Sequence, residues 1–202
     1  MPAIEEHISR IYLTGFMGSG KSTIGRILAN VLGYRFMDLD EEITLREGRF
    51  IGEIFRVEGE AYFRELERRI LEETYTEERA VVATGGGTLA RPENMRRTLK
   101  EGTVVYLMLQ EEDLVHRLKR LRSRPLLLDA SGKPLPPDTL RRRIAQLLRE
   151  REPVYRLAQV HVPVGNVPVG ITVDRVVAAL RAYVRKHVTL GYSGEKNVGG
   201  VE

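Results

Sequence analysis

Cysteine is absent from the 202-residue chain, which excludes disulfide bonds and thiolate metal sites. No apolar stretch approaches the ~20 residues that a membrane-spanning helix needs, so we expect no membrane contact. The first residues also lack the apolar core of a signal peptide, and we therefore expect a cytoplasmic location. A hydrophobic content of 42% and a charged content of 30% are typical of a globular protein.

The sequence also has no long basic block, although its net charge is +4 and its pI is about 9.4. Basic residues are instead spread along the chain, so we do not expect nucleic acid as a partner. A nucleic-acid-binding protein remains an alternative, and it predicts binding that depends steeply on salt. An anionic small-molecule site explains the positive charge equally well.

The most informative stretch is GFMGSGKST, residues 15–23, called the phosphate loop below. It follows a strand-like apolar run and precedes a helical pattern, which is the setting of the phosphate-binding motif G-x-x-x-x-G-K-S. Its three glycines let backbone N–H groups surround an anion. Lys21 would reach the outer phosphates and the Ser22 hydroxyl would ligate Mg²⁺. The alternative is a glycine-rich turn before an amphipathic helix.

Strand and helix patterns alternate along the chain. Strands are predicted at 10–14, 34–37, 80–83, 103–109 and 160–164, and helices at 21–32, 41–47, 60–74, 92–100, 111–121, 139–150 and 172–188. Residues 1–9 read as a polar lead-in, 50–58 as a short helix or turn, and the tail from 191 as disordered. The alternation predicts an α/β fold whose parallel sheet carries its site at the carboxyl ends of the strands.

Two carboxylates and three glycines follow the predicted strands. Asp38 and Asp40 come directly after the second strand, and they are the best candidates to complete a Mg²⁺ shell because the third strand ends in Thr84. Two solvated carboxylates, one of them a helix N-cap, are the alternative. Residues 85–87, all glycine, indicate either a close approach of the backbone to a ligand or a tight turn.

Several arginines stand next to stiff or apolar segments. Arg124 precedes Pro-Leu-Leu, which suits a lid that delivers charge to a transferring phosphoryl group. Arg64 follows the core-like Phe63, and Arg151 precedes Pro153. The four histidines show no metal-ligand spacing, and we assign them no chemistry.

Taken together, these residues resemble the shikimate kinase family. The matching segments occur in the family's order over roughly residues 10–185, and they are GFMGSGKST (15–23), DLD (38–40), GRFIGEIF with GE-x-x-FR (48–64), TGGG (84–87), RPLL (124–127) and REPVY (151–155). The phosphate loop alone indicates only a nucleotide, whereas the whole set is specific.

The resemblance implies an α/β P-loop kinase fold with a five-stranded parallel sheet in the order 2-3-1-4-5, flanking helices and a mobile lid. The domain would cover 1–190, with the lid at about 122–138 and a disordered tail at 191–202. The implied reaction is ATP- and Mg²⁺-dependent phosphorylation of the 3-hydroxyl of shikimate, a step toward chorismate and the aromatic amino acids. The segment 129–137 is long for the family's lid.

The resemblance also implies a role for each site residue. Lys21, Asp38 and Arg124 would be catalytic, with Ser22 and Asp38 at the metal. Asp38 would either take the proton or only orient the metal shell. The shikimate carboxylate and hydroxyls would be bound by Asp40, Arg64, Gly85, Gly86, Gly87 and Arg151. ATP would contact Gly15, Gly18, Ser19, Gly20, Lys21, Ser22, Thr23, Arg117, Arg124, Asn166 and Pro168.

Two further functions stay open from the sequence. Another P-loop kinase of a small sugar acid, such as gluconate, also needs arginines for a carboxylate. A nucleotide-binding module without turnover is the second, although the intact Lys21, Ser22, Asp38 and Arg124 argue against it. We expect ATP and shikimate as the small-molecule partners and a monomeric protein.

Overall fold

The computed structural model describes residues 4–118, 127, 133 and 135–189. Five parallel strands form one sheet in the order β2-β3-β1-β4-β5, as predicted. The strands are β1 (Arg10–Thr14), β2 (Arg35–Asp38), β3 (Ala80–Ala83), β4 (Thr103–Met108) and β5 (Val160–Pro163). Because all five run in the same direction, their carboxyl ends meet at one edge of the sheet.

Helices connect the strands and cover both faces of the sheet. Among the described residues they are α1 (Ile4–His7), α2 (Lys21–Leu32), α3 (Leu39–Glu47), α4 (Ile51–Val57), α5 (Gly59–Glu73), α6 (Pro92–Glu101), α7 (Glu111–Leu118), α8 (Pro137–Tyr155) and α9 (Val169–Thr189). Single 3₁₀ turns stand at Thr74–Thr76 and Thr88–Ala90. In the part of the chain that is described, no helix combines the length and the apolar character that crossing a membrane requires.

Alternate residues of the strands pack into two separate hydrophobic cores, one on each face of the sheet. Ile11 and Leu13 of β1 pack in a core with α2, α7, α9 and the first half of α8, whereas Tyr12 packs on the opposite face with α3, α5 and α6. This alternation is the two-residue period of a strand that is buried on both faces. Helix α8 bridges the cores, because Ile144 belongs to the first and Tyr155 to the second.

Helix α2 is fixed closely against the sheet. A Cβ atom at Gly25 would stand 2.7 Å from the Phe36 ring and 3.1 Å from Leu13, so only glycine permits this approach. The helix ends as predicted at Gly33, whose φ of 66° is the left-handed cap conformation. The tight packing gives the phosphate loop, which lies between β1 and α2, a rigid support.

The predicted polar lead-in is wrong, because residues 4–8 join the first core. Ile4 and Ile8 are only 2% and 3% exposed, and α1 packs against α9. The Tyr34 hydroxyl donates a hydrogen bond to the Ile8 carbonyl. A segment this short has too few residues to show a helical period, so only its distant partners reveal that it is buried.

Among the described residues, three helices begin or end two or more residues away from their predicted bounds. Helix α3 begins at Leu39 rather than 41 because the Asp38 side chain caps it. Helix α8 runs from 137 to 155 and contains Pro153, although proline normally ends a helix. Helix α9 begins at Val169 rather than 172.

Two predicted features fall wholly or mostly outside the described residues. Of the lid predicted at 122–138, the structure describes residues 127, 133 and 135–138. Leu127 is buried, and its carbonyl accepts a hydrogen bond from the Leu135 N–H. The tail at 191–202 lies outside the described residues. The single domain over 1–190 stays a prediction.

Truncation of Ile8 tests whether α1 and its flank belong to the core. We expect Ile8→Ala to lower the free energy of unfolding by about 2–5 kcal/mol, because it leaves a cavity at a buried position. The matched control is Ser9→Ala, an exposed neighbour that should change the free energy by less than about 0.5 kcal/mol. Urea unfolding followed by circular dichroism measures both, and equal values for the two variants would contradict the burial.

Candidate active site

Two adjoining clefts open at the carboxyl edge of the sheet. The first, the phosphate-loop cleft, has about 690 Å³ of space and is lined by Met17, Gly18, Gly20, Lys21, Ser22, Thr23, Asp38, Asp40, Thr84 and Gly86. The second, the arginine cleft, has about 460 Å³ and is lined by Met17, Asp40, Ile51, Phe55, Phe63, Arg64, Glu67, Gly86, Gly87 and Arg151. Three residues, Met17, Asp40 and Gly86, line both clefts, so a molecule in one would meet a molecule in the other.

The phosphate loop has the backbone shape that its glycines predict. Gly18 and Gly20 have φ angles of 82° and 93°, which side-chain-bearing residues rarely adopt. The Lys21 ammonium lies in the cleft and donates to the carbonyl oxygens of Gly15 and Phe16 at 2.8 and 3.1 Å. Helix α2 begins at Lys21, so its positive end faces the cleft. Backbone N–H groups, a cation and a helix N-terminus together suit a polyphosphate.

Two predicted nucleotide residues lie beneath this cleft. A Cβ atom at Gly15 would stand 2.7 Å from the Leu107 carbonyl oxygen, and Ser19 is completely buried. Their predicted contribution is therefore through the backbone and the loop shape. Thr84 also lines the cleft, although it is not among the predicted site residues. Its hydroxyl donates to the Leu13 carbonyl at 2.9 Å.

Asp38 caps α3 and also faces the phosphate-loop cleft. Its Oδ1 accepts from the backbone N–H groups of Asp40 and Glu41 at 3.0 and 3.3 Å. Burial raises the pKa of the Asp38 carboxyl, opposed by a hydrogen bond with the Ser22 side chain. A hydroxyl and a carboxylate side by side are ligands that suit Mg²⁺, and a cation would offset the cost of burying this charge. The N-cap alternative and the metal prediction thus describe the same residue.

Arg64 is held firmly at the wall of the arginine cleft. Its guanidinium donates to Glu67 at 2.5 Å and to Glu60 at 2.9 and 3.1 Å, and its side chain is 10% exposed. The carbon of the guanidinium lies 5.3 Å from the centre of the Phe63 ring and 5.9 Å from that of Phe55. These contacts fix the direction of one cation inside a partly apolar cleft.

Glu67 is a site residue that the sequence analysis missed. It is 2% exposed, pairs with Arg64 and accepts a hydrogen bond from the Thr88 hydroxyl at 2.7 Å. Burial raises the pKa of the Glu67 carboxyl, and Arg64 opposes this shift. The sequence signal for this ion pair is the position of Glu67 three residues after Arg64 on a helix. That signal is weak, because most such pairs are solvated.

Arg151 brings a second cation to the arginine cleft from α8. One of its N–H groups donates to the Gly86 carbonyl at 3.2 Å, and its guanidinium carbon lies 5.8 Å from the centre of the Phe16 ring. Arg64 and Arg151 are 87 positions apart in the sequence, yet they line one cleft. The fold therefore brings together the two predicted carboxylate-binding arginines.

The three glycines at 85–87 leave room for the site's own groups. A Cβ atom at Gly85 would stand 2.5 Å from Glu67 Oε1, and one at Gly87 would stand 2.5 Å from Arg64 Nη1. At Gly86 the Cβ would meet the Met17 backbone nitrogen at 3.1 Å. The sequence analysis attributed these glycines to a ligand or to a turn. Here protein side chains and the phosphate loop already occupy the space, so the backbone itself forms the wall.

Arg117 links the phosphate loop to the loop after β5. Its guanidinium donates to the carbonyl oxygens of Gly18 at 3.2 Å and Gly165 at 3.0 Å. Asn166 and Pro168, which are predicted to contact ATP, follow Gly165 in that loop. Arg124, the predicted lid arginine, lies outside the described residues.

Comparisons with known proteins agree on one family. The family model described as shikimate kinase matches residues 17–180. A shikimate kinase of Chlorobaculum tepidum is 42% identical over 181 residues, which cover 90% of this chain and 95% of the relative. One of Chlorobaculum parvum is 41% identical over 181 residues, covering 90% and 97%.

Solved structures agree with the sequence relatives. The shikimate kinase of Bacteroides thetaiotaomicron matches with a TM-score of 0.77 and 35% identity, covering 86% of this chain and 99% of that one. The shikimate kinase of Acinetobacter baumannii, in complex with shikimate, gives 0.76 and 31%, covering 94% and 97%. A gluconokinase of Sinorhizobium meliloti gives 0.56 and 21%, covering 91% and 97%, which shows a shared fold alone.

Asp38→Asn tests the strain that a buried carboxylate places on the site. Asparagine keeps the N-cap, so at pH 7 and without nucleotide we expect the variant to melt at a higher temperature than the parent. Because the pKa of Asp38 is raised in the folded protein, the parent loses stability as the pH rises above the pKa of an unfolded Asp. The advantage should therefore vanish as pH falls to about 4.

Differential scanning calorimetry between pH 4 and pH 7 measures this effect. Asp174→Asn, at an exposed position of α9, is the matched control and should show no such gain. A melting temperature of Asp38→Asn below that of the parent at pH 7 would show that the carboxylate stabilises the fold.

Proposed function

The chain belongs to the shikimate kinase family, and from this we propose that it transfers the γ-phosphoryl group of ATP to the 3-hydroxyl of shikimate. The products are shikimate 3-phosphate and ADP. One observation carries the proposal: a cleft with two arginines adjoins the phosphate-loop cleft through a shared wall. An acid held in the first cleft would present a hydroxyl to a nucleotide held in the second.

The arginine cleft suits a small ring that carries one carboxylate and several hydroxyls. Arg64 and Arg151 supply charge-assisted hydrogen bonds to the carboxylate, and guanidinium groups match its geometry. Phe55, Phe63 and Ile51 offer apolar surface to the ring carbons. The acceptor Asp40 suits the hydroxyls, and its position on the shared wall supports a place next to the reacting oxygen.

Alignment and charge neutralisation are the main requirements of phosphoryl transfer. We propose that the phosphate loop and Lys21 bind the phosphates, with Arg117 beside the adenine, and that Arg124 adds a cation at the transferring group. Ser22 and Asp38 would hold Mg²⁺, which neutralises phosphate charge when bound. Asp38 would either accept the proton of the reacting hydroxyl or only orient this shell.

The alternatives have less support. The likeness to a gluconokinase is at 21% identity and concerns the fold, whereas the shikimate kinases are related over nine-tenths of the chain. A module without turnover has no need of a second cleft with two arginines beside the phosphate-loop cleft. We therefore propose an active enzyme with ATP and shikimate as its small-molecule partners.

A panel of polyol acids tests the proposed reaction. We expect release of ADP with shikimate and not with gluconate or quinate, measured in a coupled assay. In Lys21→Met, kcat should fall by at least about a hundredfold, because a cation at the developing phosphate charge is lost. Turnover of gluconate at a higher kcat/KM than shikimate would reject the assignment, and retention of kcat in the variant would reject the role of Lys21.

The proposed binding of the shikimate carboxylate by Arg64 and Arg151 gives a separate prediction. Arg64→Ala and Arg151→Ala should each weaken shikimate binding by roughly ten- to hundredfold, the value of a charge-assisted hydrogen bond. Arg64→Lys should also weaken it, because a point charge cannot replace the planar fork. Binding of a non-hydrolysable ATP analogue should stay nearly unchanged in all three variants.

Calorimetric titration measures both ligands, and an exposed arginine on the same helix supplies the control. Arg68 pairs with Glu65 and Glu72 on the outer side of α5, so Arg68→Ala should bind shikimate like the parent. Loss of the ATP analogue instead of shikimate would place the arginines in the nucleotide site.

A further inference from the structure

We propose that Tyr155 is a positioning residue, whose hydroxyl holds the Gly86 peptide and so keeps the Arg151 guanidinium available to the acid in the arginine cleft. The inference rests on the proposed function and extends it to a residue outside the cleft. Tyr155 is completely buried, whereas the residues that line the clefts face them directly. Its hydroxyl reaches the site through a single backbone carbonyl.

Two side chains donate hydrogen bonds to that carbonyl. The Tyr155 hydroxyl donates to the Gly86 oxygen, and Arg151 donates to the same oxygen at 3.2 Å. Tyr155 and Arg151 are four residues apart on α8, so they lie on one face of the helix. A carbonyl oxygen has two lone pairs, and here each one has a donor.

The two donors to Gly86 differ in how firmly they are held. The Tyr155 ring is packed in the second core, with its centre 5.3 Å from that of the Tyr106 ring, so the core fixes the direction of the hydroxyl. Burial also raises the pKa of Tyr155 above its ordinary value, which keeps the phenol a neutral donor. Arg151 has a long hydrogen bond and a distant ring contact. Arg151 is therefore the donor that can exchange the carbonyl for a ligand.

This difference explains why a second donor is useful at Gly86. When Arg151 turns to a carboxylate, the partly buried Gly86 carbonyl keeps its bond from Tyr155, so it is not left without a protein donor. Without the hydroxyl, Arg151 would be the remaining side-chain donor to that carbonyl among the described residues. The acid would then compete with Gly86 for the guanidinium, and its affinity would fall.

Tyr155→Phe removes the hydroxyl and keeps the ring. We expect the Kd and the KM of shikimate to rise about three- to tenfold, the value of one ordinary hydrogen bond, with kcat reduced less than twofold. Binding of the ATP analogue should change less than about twofold, because Gly86 meets the phosphate loop by packing.

The control is Tyr75→Phe, which removes a hydroxyl of the same kind elsewhere. Tyr75 is 9% exposed, lies in the same core as Tyr155 and hydrogen-bonds with the Thr98 hydroxyl. Both variants should lose similar stability in scanning calorimetry, whereas only Tyr155→Phe should lose shikimate affinity. Equal shikimate affinities in the two variants would contradict the proposal.

A double-mutant cycle separates positioning from a general loss of structure. In the Arg151→Ala background, Tyr155→Phe should change the Kd of shikimate by less than about twofold, because the group through which it acts is missing. The same factor in both backgrounds would overturn the proposal. Titration of the parent enzyme reports on the proposed function itself, so failure of that function is seen before any variant is compared.

One further variant covers the case in which Tyr155→Phe does not fold. Replacement of Tyr155 by 4-aminophenylalanine keeps an N–H donor at the same position, and we expect an affinity for shikimate within about threefold of the parent. A folded variant of this kind with tenfold weaker binding would overturn the proposal.

Discussion

The site depends on the absence of side chains where two clefts meet. The glycine segment 85–87 follows the carboxyl end of β3. Its backbone packs closely against Glu67, Arg64 and the phosphate loop. Any Cβ atom at these positions would displace a carboxylate, a guanidinium or a backbone nitrogen. The parallel sheet brings the phosphate loop and Asp38 to the same edge. The glycines then decide how closely the surrounding groups can approach one another.

The two arginines of the cleft are held in opposite ways. Arg64 makes its bonds to carboxylates, so its charge is neutralised in place and its direction is fixed. Arg151 bonds to a neutral carbonyl, which leaves its charge uncompensated by that contact. A carboxylate bound as we propose would therefore gain more from Arg151 in electrostatic terms, whereas Arg64 would supply a preorganised geometry. The pair combines a rigid reference point with an adjustable cation.

Much of the fold could be predicted from local signals. The phosphate loop and the ends of the predicted helices at 32 and 47 each depend on a few adjacent residues, and the structure has all three. Glu67, Tyr155 and Ile8 were not predicted, because their importance depends on partners that are 21, 69 and 26 positions away in the sequence. Apart from the three-residue spacing of Arg64 and Glu67, a single sequence without its fold gives no sign of these contacts. The sheet order was inferred from the resemblance to a family, and the structure confirms it.

A wall made of backbone also limits how such an enzyme can change during evolution. Every substitution in 85–87 adds at least a Cβ atom, and that atom would collide with Glu67, Arg64 or the phosphate loop. Ile51, Phe55 and Phe63 on α4 and α5 line the arginine cleft, and apolar side chains tolerate replacement by others of similar volume. A lineage that acquires a different acceptor alcohol would therefore accumulate its substitutions on α4 and α5, while the glycine segment remained invariant.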